Sequence, residues 1–198
     1  MKTSHCLIVL SLLIAIAAAS SVAPVSANTS HCGSITANEN WTNLGNAHVV
    51  TCDINIANGV TLTIDEGSIV KFEIGTGIIV NGTLRVEGTS SDPVYFTSLR
   101  DDTIGGDTNG DGGASIPDWF DWRGIGFSDS SNDAATLINH AEIRYAGRDQ
   151  RGSINLNNAS PTIKNSTLTD GYMAIRANLG SFPSLIKNTY SDNFYNAL

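Results

Sequence analysis

One phrase occurs twice in this chain, first as Asn58-Gly59-Val60-Thr61-Leu62-Thr63-Ile64-Asp65-Glu66-Gly67 and then as Asn81-Gly82-Thr83-Leu84-Arg85-Val86-Glu87-Gly88. Leu62 and Leu84 are the matching leucines of the two copies, and Phe72 is followed by Phe96 at a similar spacing. Short β-type segments separated by Asn/Gly turns, without helix-period segments between them, predict a solenoid whose coils bury their apolar faces by stacking.

The later part of the chain repeats with a similar period. Ile138 and Ile143 recur as Ile163 and Leu168, and Ile163 recurs in turn as Leu185. Apolar and polar residues alternate within each segment, which is typical of strands with one buried face. We therefore predict an all-β parallel solenoid with roughly 22–25 residues per coil.

Residues 1–27 are typical of a secretory signal peptide. Lys2 precedes an apolar run from Leu7 to Ala19, and Val25-Ser26-Ala27 provides small residues for cleavage. A retained membrane anchor is the alternative, which the Ala-rich composition of the run disfavours. No second apolar segment reaches membrane-spanning length, so we expect a secreted or extracellular-surface protein without membrane insertion after cleavage.

Charge narrows the choice of partners. Without residues 1–27 the chain has 10 Lys and Arg against 19 Asp and Glu, a formal charge of −9. Nucleic acids and anionic lipids require clustered basic side chains, and the sequence contains no such cluster. We therefore predict no nucleic-acid partner and an acidic surface that suits divalent cations.

Cys32 and Cys52 are the two cysteines that follow residue 27. An even number of cysteines in an exported chain predicts a disulfide. This bond would close a loop of about twenty residues and contribute roughly 3 kcal/mol in the chain-entropy model. Two unpaired thiols are the alternative, and a redox-active pair is disfavoured because the C-x-x-C spacing is missing.

The predicted mature chain divides into an entry segment and coils. Residues 28–57 form an entry or N-terminal capping segment, and residues 58–198 form coils that an Asp/Gly-rich loop at 98–118 interrupts. The sequence stops within a coil pattern at 193–198, so we expect the solenoid to continue in a longer protein. A natural stop or an end-to-end dimer is the alternative.

These segments resemble a known group of proteins. The strand phrases at 60–72 and 78–96, the Trp122-Arg123-Gly124-Ile125-Gly126-Phe127 segment and the Pro-x-Ile-x-Asn-Ser-x-Leu phrase at 161–168 look like secreted or cell-surface proteins of bacteria and archaea. The resemblance covers nearly all of residues 31–198 and implies a right-handed parallel β-helix of the pectin-lyase-like fold. It implies no single activity, since the group contains pectate lyases, polygalacturonases and adhesin-like solenoids.

The insertion carries a calcium-loop pattern. Oxygen-bearing side chains occupy positions 1, 3 and 5 of Asp107-Thr108-Asn109-Gly110-Asp111-Gly112, and glycine occupies position 6. A tight turn points alternate side chains at one centre, and Ca²⁺ takes six to eight oxygen ligands. The predicted ligands are Asp107, Asn109, Asp111, Gly113 through its carbonyl, Ser115 and Asp118.

Other features weigh against this calcium site. The loop resembles those of dockerin modules, but the flanking helices of an EF-hand are missing. Pro117 directly precedes position 12, where it can misdirect Asp118. Asp101 and Asp102 are nearby alternative ligands, and a solvated turn without metal is the competing interpretation.

No catalytic site is predicted. A pectate-lyase-like mechanism requires an acidic cluster that holds Ca²⁺ and a basic side chain over the sugar acid. The candidate bases are Arg144, Arg176 and Lys164, and the few candidate acidic partners are Glu142, Asp170 and Asp192. The three histidines after residue 27 are scattered and show neither metal-ligand spacing nor a triad arrangement, so we interpret His31, His48 and His140 as structural or solvated.

Trp119, Phe120 and Trp122 are candidates for sugar stacking, because aromatic faces cover the C–H surfaces of sugars. Packing in the core is the alternative. The leading hypothesis is a monomeric β-helix scaffold, adhesin-like or carbohydrate-contacting, that binds a polysaccharide or cell-surface glycan. The alternative is the N-terminal part of a polysaccharide lyase or glycoside hydrolase with catalytic coils beyond residue 198.

Overall fold

Short parallel strands make up the regular structure. The computed structural model describes residues 28–178 and 180–195, so the predicted signal peptide at 1–27 and the last residues, 196–198, lie outside the described residues. No α-helix occurs in these two ranges. The strands are β1 (Thr29–Ile35), β2 (Glu39–Trp41), β3 (His48–Ile56), β4 (Thr61–Asp65), β5 (Ile69–Phe72), β6 (Ile78–Val80), β7 (Thr83–Glu87), β8 (Val94–Ser98), β9 (Ile125–Phe127), β10 (Leu137–Asn139), β11 (Ala141–Arg144), β12 (Ile154–Leu156), β13 (Thr162–Lys164), β14 (Thr167–Thr169), β15 (Ile175–Ala177), β16 (Ser184–Ile186) and β17 (Thr189–Ser191).

The strands stack into three parallel sheets. Sheet I contains β2, β4, β7, β10, β13 and β16 in that order. Sheet II contains the first half of β3 with β5, β8, β11, β14 and β17, and sheet III contains the second half of β3 with β6, β9, β12 and β15. Successive coils place one strand in each sheet, which gives a β-solenoid of about seven turns and confirms the predicted fold class.

β4 shows why these sequences form half-buried strands. Leu62 and Ile64 are fully buried, whereas the residues between and beside them are partly exposed. A two-residue period puts alternate side chains on opposite faces of a strand. Leu62 pairs with Leu84 and Ile64 pairs with Val86, as the repeated phrase predicts.

Apolar side chains form ladders inside the solenoid. One ladder in sheet III consists of Ile54, Ile78, Ile125, Ile154 and Ile175. Each of these isoleucines is at most 3 % exposed, and burial of such a side chain contributes roughly 1.5–3 kcal/mol. The ladder also fixes the register, because a slip by one residue would turn the isoleucines toward solvent.

The register of the later coils follows the predicted spacings. Sheet I pairs Ile138 with Ile163 and Ile163 with Leu185. Phe72 and Phe96, in contrast, are not paired in sheet II, because Phe96 pairs with Val70. The turn at 88–93 is longer than the turn at 66–68, which shifts β8 along β5.

The entry segment is built into the sheets. β1 pairs along β3, and Cys32 is bonded to Cys52 across these two strands with a sulfur–sulfur distance of 2.07 Å, which confirms the predicted disulfide. β2 pairs with β4 at the start of sheet I. The sequence pattern did not predict β2, because only Trp41 of its residues is buried and the strand is too short to show a period.

In the structure the insertion spans residues 99–124 and connects β8 to β9. The coils resume with β9 at Ile125, and Trp122 forms an isolated bridge with Ala146. Within the described ranges the structure contains no helix long and apolar enough to span a membrane.

Candidate functional site

A buried lysine holds the insertion on the outer face of sheet II. The Lys71 side chain extends from β5, and its Nζ donates hydrogen bonds to the carbonyls of Asp101 at 2.8 Å and Gly106 at 2.7 Å. Lys71 has no exposed surface. Burial lowers the pKa of Lys71, and the carboxylates of Asp101, Asp102 and Asp107 oppose that shift.

Asp101 also holds the insertion against sheet II, through its side chain. Its Oδ2 accepts a hydrogen bond from Thr97 Oγ1 at 2.6 Å and lies 3.5 Å from Arg144 Nη1. Its Oδ1 accepts from the Thr103 N–H at 3.0 Å. With these partners and no exposed surface, Asp101 does not offer a free ligand atom, so the structure removes it as an alternative metal ligand.

Three other carboxylates lie close together within residues 102–111 of the insertion, which we call the acidic loop. Oxygen atoms of Asp102, Asp107 and Asp111 all lie within 4.8 Å of one another. Asp102 Oδ1 is shielded from solvent and has no hydrogen-bond partner. Carboxylate oxygens at this spacing repel each other, and a divalent cation between them would remove the repulsion.

The loop turn is organised around Asp111. The Asp111 carboxylate accepts hydrogen bonds from the N–H groups of Gly113, Ala114 and Ser115 and from the Ser115 hydroxyl. These hydrogen bonds, that of the Ser115 hydroxyl first, lower the pKa of Asp111. Asp107 Oδ2 accepts from the Gly112 N–H at 2.8 Å, and Gly112 has a φ of +66° that suits glycine.

The structure brings most of the predicted calcium ligands into this one turn. Asn109 donates from Nδ2 to Asp111 Oδ2 at 2.9 Å and to Ser115 Oγ at 3.0 Å. Asp118 is not part of the carboxylate group; its Oδ1 accepts from the Trp119 N–H at 2.8 Å in the next turn. Asp102, one of the two alternative ligands named from the sequence, joins the group instead.

Trp122 belongs to the core. It is fully buried, and its ring stacks on Phe72 with a centroid distance of 3.9 Å and an interplanar angle of 3°. Its Nε1 donates to the Arg144 carbonyl at 2.7 Å. No face of this indole is open to a sugar, so Trp122 is removed from the sugar-stacking candidates.

Trp119 and Phe120 lie outside the core in an aromatic cluster. Trp119 is half-buried and stacks on Phe194 at 4.2 Å, and Phe120 packs against Tyr172 at 5.0 Å. Tyr195 completes the cluster at 5.0 Å from Tyr172. The insertion thereby contacts the two last described coils, and Phe194 remains 57 % exposed.

A cleft of about 380 Å³ opens beside this cluster. It combines aromatic faces with three carboxylates. Its lining residues are Pro117, Asp118, Trp119, Tyr145, Asp170, Asp192 and Phe194. The sequence pattern indicated these aromatic and acidic groups separately or not at all, because the insertion and the coils meet only in the folded chain.

The candidate catalytic bases are not brought together. Arg144 lies on sheet II, Lys164 on sheet I and Arg176 on sheet III. Arg144 is engaged by Asp101 and by Glu142, whose Oε1 lies 2.9 Å from Arg144 Nε. These three side chains therefore do not form one site.

His31 and His48 form a pair at the start of the solenoid. His31 Nε2 lies 2.9 Å from His48 Nδ1, and His48 Nε2 lies 2.9 Å from the Thr42 carbonyl. The His31 ring stacks on Trp41 at 3.9 Å. Burial, and then the charge of His48, lower the pKa of His31 to about 4, so the ring is neutral at pH 7.

Comparison with known proteins shows one limited similarity. A 62-residue segment is 40 % identical to the Drosophila melanogaster protein called Protein bark beetle. This segment is 31 % of the present chain and 2 % of that protein. No known family matches the chain, and no solved structure matches it.

Proposed function

We propose that this chain is a secreted or surface-exposed β-solenoid scaffold that binds a glycan in the cleft beside its insertion. The observation that carries the proposal is the position of Trp119, whose half-buried indole forms one wall of a cleft that Asp118 also lines. Aromatic faces cover sugar C–H surfaces, and carboxylates accept hydrogen bonds from sugar hydroxyls. The cleft thus offers both kinds of contact that a sugar ring needs.

Secretion is supported by the Cys32–Cys52 disulfide, because such bonds persist in oxidising compartments. The signal-peptide pattern of residues 1–27 points to the same compartment. The stacked sheets give a rigid support on which an exposed loop keeps its position.

Ca²⁺ is proposed as the ion that stiffens the insertion. Asp102, Asp107 and Asp111 supply three carboxylates, and Asn109 and Ser115 lie against Asp111. Hard oxygen ligands of this kind suit Ca²⁺. The cation would lie in the same insertion as Trp119 and would support one wall of the cleft.

The test is binding of the purified protein to a panel of neutral, basic and acidic oligosaccharides, followed by calorimetry on the best ligand. The Trp119→Ala variant should lose at least about fivefold in affinity, since stacking of a ligand ring on an aromatic side chain contributes about 1–3 kcal/mol. Phe182→Ala is the matched control, because Phe182 is 81 % exposed and lies outside the cleft. If no glycan binds, or if Trp119→Ala binds like the wild type, the proposed function is wrong.

One observation favours a second candidate, a glycoside hydrolase. Asp170 and Asp192 line the cleft from neighbouring coils, and Asp118 faces it from the insertion. Glycosidases use two carboxyl groups on either side of the scissile bond. Chromatography of the bound oligosaccharide decides between the candidates: shortened products that disappear in Asp118→Asn would establish the hydrolase, and intact sugar would establish the binding scaffold.

A further inference from the structure

Tyr145, Asp170 and Asp192 form a column on three consecutive coils. Each follows the last residue of a sheet II strand. In the sheet, Arg144 pairs with Thr169, and Thr169 pairs with Ser191. All three have a positive φ, 58°, 52° and 52°. Because neighbouring strands are about 4.8 Å apart, the repeated conformation places the two aspartates one coil apart on the same wall of the cleft.

The two aspartates of this column have no cationic partner. Neither Asp170 nor Asp192 forms an ion pair with any described residue, and Asp170 Oδ2 accepts one hydrogen bond, from Thr169 Oγ1 at 3.2 Å. The guanidinium of Arg144 lies 5.9 Å from the centre of the Tyr145 ring, and its ion pairs are with Asp101 and Glu142. The negative charge of this wall is therefore not neutralised within the described chain.

Asp118 adds to the negative charge from the insertion side. It is exposed, lines the same cleft, and also lacks an ion pair among the residues described. Burial, and then the charges of Asp101 and Asp170, raise the pKa of the Tyr145 phenol, and the charge of Arg144 opposes this shift. Trp119 and Phe194 supply aromatic surface next to these acidic groups.

We propose that the cleft selects sugar units that carry a protonated amino group. The sugar ring stacks on Trp119, and its ammonium group lies between the carboxylates of Asp170 and Asp192. An ammonium group gains from both the carboxylates and the faces of aromatic rings. This inference names the ligand class of the glycan-binding function proposed above and rests on it.

The same charges exclude acidic sugars from the cleft. The carboxylate of a uronate stacked on Trp119 would lie in the same cleft as the carboxylates of Asp118, Asp170 and Asp192. Like charges within one cleft repel. An N-acetylated sugar keeps the stacking contact but has no charge, so it should bind more weakly than the free amine.

The test compares three oligosaccharides of equal length: a glucosamine oligomer, its N-acetylated form and a galacturonate oligomer. Calorimetry on the purified protein at about pH 6, where the amine is protonated, should give about five- to tenfold tighter binding of the free amine than of the N-acetylated form. The galacturonate oligomer should not bind to the wild type through this cleft.

Two double variants separate local from overall charge. Asp170→Asn with Asp192→Asn should abolish the preference, so that the free amine and its N-acetylated form bind this variant with equal affinity. Glu66→Gln with Glu73→Gln removes the same number of charges from exposed positions outside the cleft and should leave the preference intact. Circular dichroism of both variants verifies the fold.

The outcomes are distinguishable. Equal affinity for the amine and its N-acetylated form would overturn this inference while glycan binding stands. A preference that survives the Asp170 and Asp192 substitutions would also overturn it, because the charge would then act elsewhere. Absence of binding to all three oligomers and to the wider panel would overturn the proposed function itself.

Discussion

Lys71 and Asp101 are joined by a hydrogen bond of 2.8 Å from the ammonium group of the lysine to the main-chain carbonyl of the aspartate. The donor lies on β5 and the acceptor in the insertion, so this contact fastens the candidate site to the solenoid. Lys71 also donates a hydrogen bond to the Gly106 carbonyl. The same ammonium group therefore holds both ends of residues 101–106 in the insertion.

Replacement of Lys71 by methionine should therefore destabilise the protein by about 2 kcal/mol, because two carbonyls lose their donor and nearby carboxylates lose a cation. Urea unfolding measures the loss, and limited proteolysis should show earlier cleavage within residues 99–124. Lys164→Met is the control, since the Lys164 side chain forms no ion pair with any described residue. Equal stability of the two variants would contradict the anchoring role.

Reduction of the Cys32–Cys52 bond should lower the free energy of unfolding. The bond links β1 to β3 over a sequence separation of 20, and a loop of this size corresponds to roughly 3 kcal/mol in the chain-entropy model. Urea unfolding with and without a reductant measures the effect. The Cys32→Ser, Cys52→Ser double variant should match the reduced wild type and show no further response to reductant.

The solenoid could be predicted from the sequence because its signal is local. Leu62 and Leu84 belong to the same repeated phrase, and their pairing follows from a spacing that can be read along the chain. The disulfide was predictable for a similar reason, since only one pairing exists for the two cysteines after residue 27. Periodicity of this kind is set by the strands themselves.

The candidate site was predicted less well because its parts come from distant segments. Trp119 belongs to the insertion, whereas Tyr145 and Phe194 belong to coils whose distance from it depends on how the insertion folds back. Asp102 joins the carboxylate group from outside the calcium-loop pattern. No local pattern distinguishes Trp119 from Trp122, and only burial separates their roles.

The two tryptophans should respond differently to truncation. Trp122→Ala should cost about 3–5 kcal/mol of stability, because it removes a fully buried ring that stacks on Phe72. Trp119→Ala should cost about 1 kcal/mol, since Trp119 is half-buried at the surface. Urea unfolding compares them, and Trp122→Phe keeps the measurement possible if the alanine variant does not fold. A larger loss from Trp119→Ala than from Trp122→Phe would reverse the assignment.

Calcium should stabilise the wild type in a way that depends on three carboxylates. At one hundred times the dissociation constant, a ligand that binds only the folded state adds about 2.7 kcal/mol, which raises the thermal midpoint by several degrees. Asp107→Asn with Asp111→Asn should abolish the rise, and Asp102→Asn should weaken it.

Two further variants sharpen the calcium test. Asp118→Asn should keep the full response, because Asp118 lies outside the carboxylate group although it occupies position 12 of the sequence pattern. Glu66→Gln with Glu73→Gln serves as the charge-matched control and should also respond fully. A response lost in Asp118→Asn but kept in Asp102→Asn would favour the ligand set of the sequence pattern over that of the structure.

Stability should decrease below neutral pH because of His31. Burial, and then His48, lower its folded pKa to about 4, whereas an unfolded histidine has a pKa of about 6.5. Between these values the unfolded chain binds more protons than the folded chain, so the contribution is complete above about pH 6.5 and is lost as the pH falls through about 4.

For a ring that remains partly exposed to solvent, the loss by about pH 5 should be about 1 kcal/mol. Urea unfolding at about pH 7.5 and pH 5 measures it, and His31→Gln should reduce the difference. An unchanged difference in His31→Gln would assign the pH dependence to other groups.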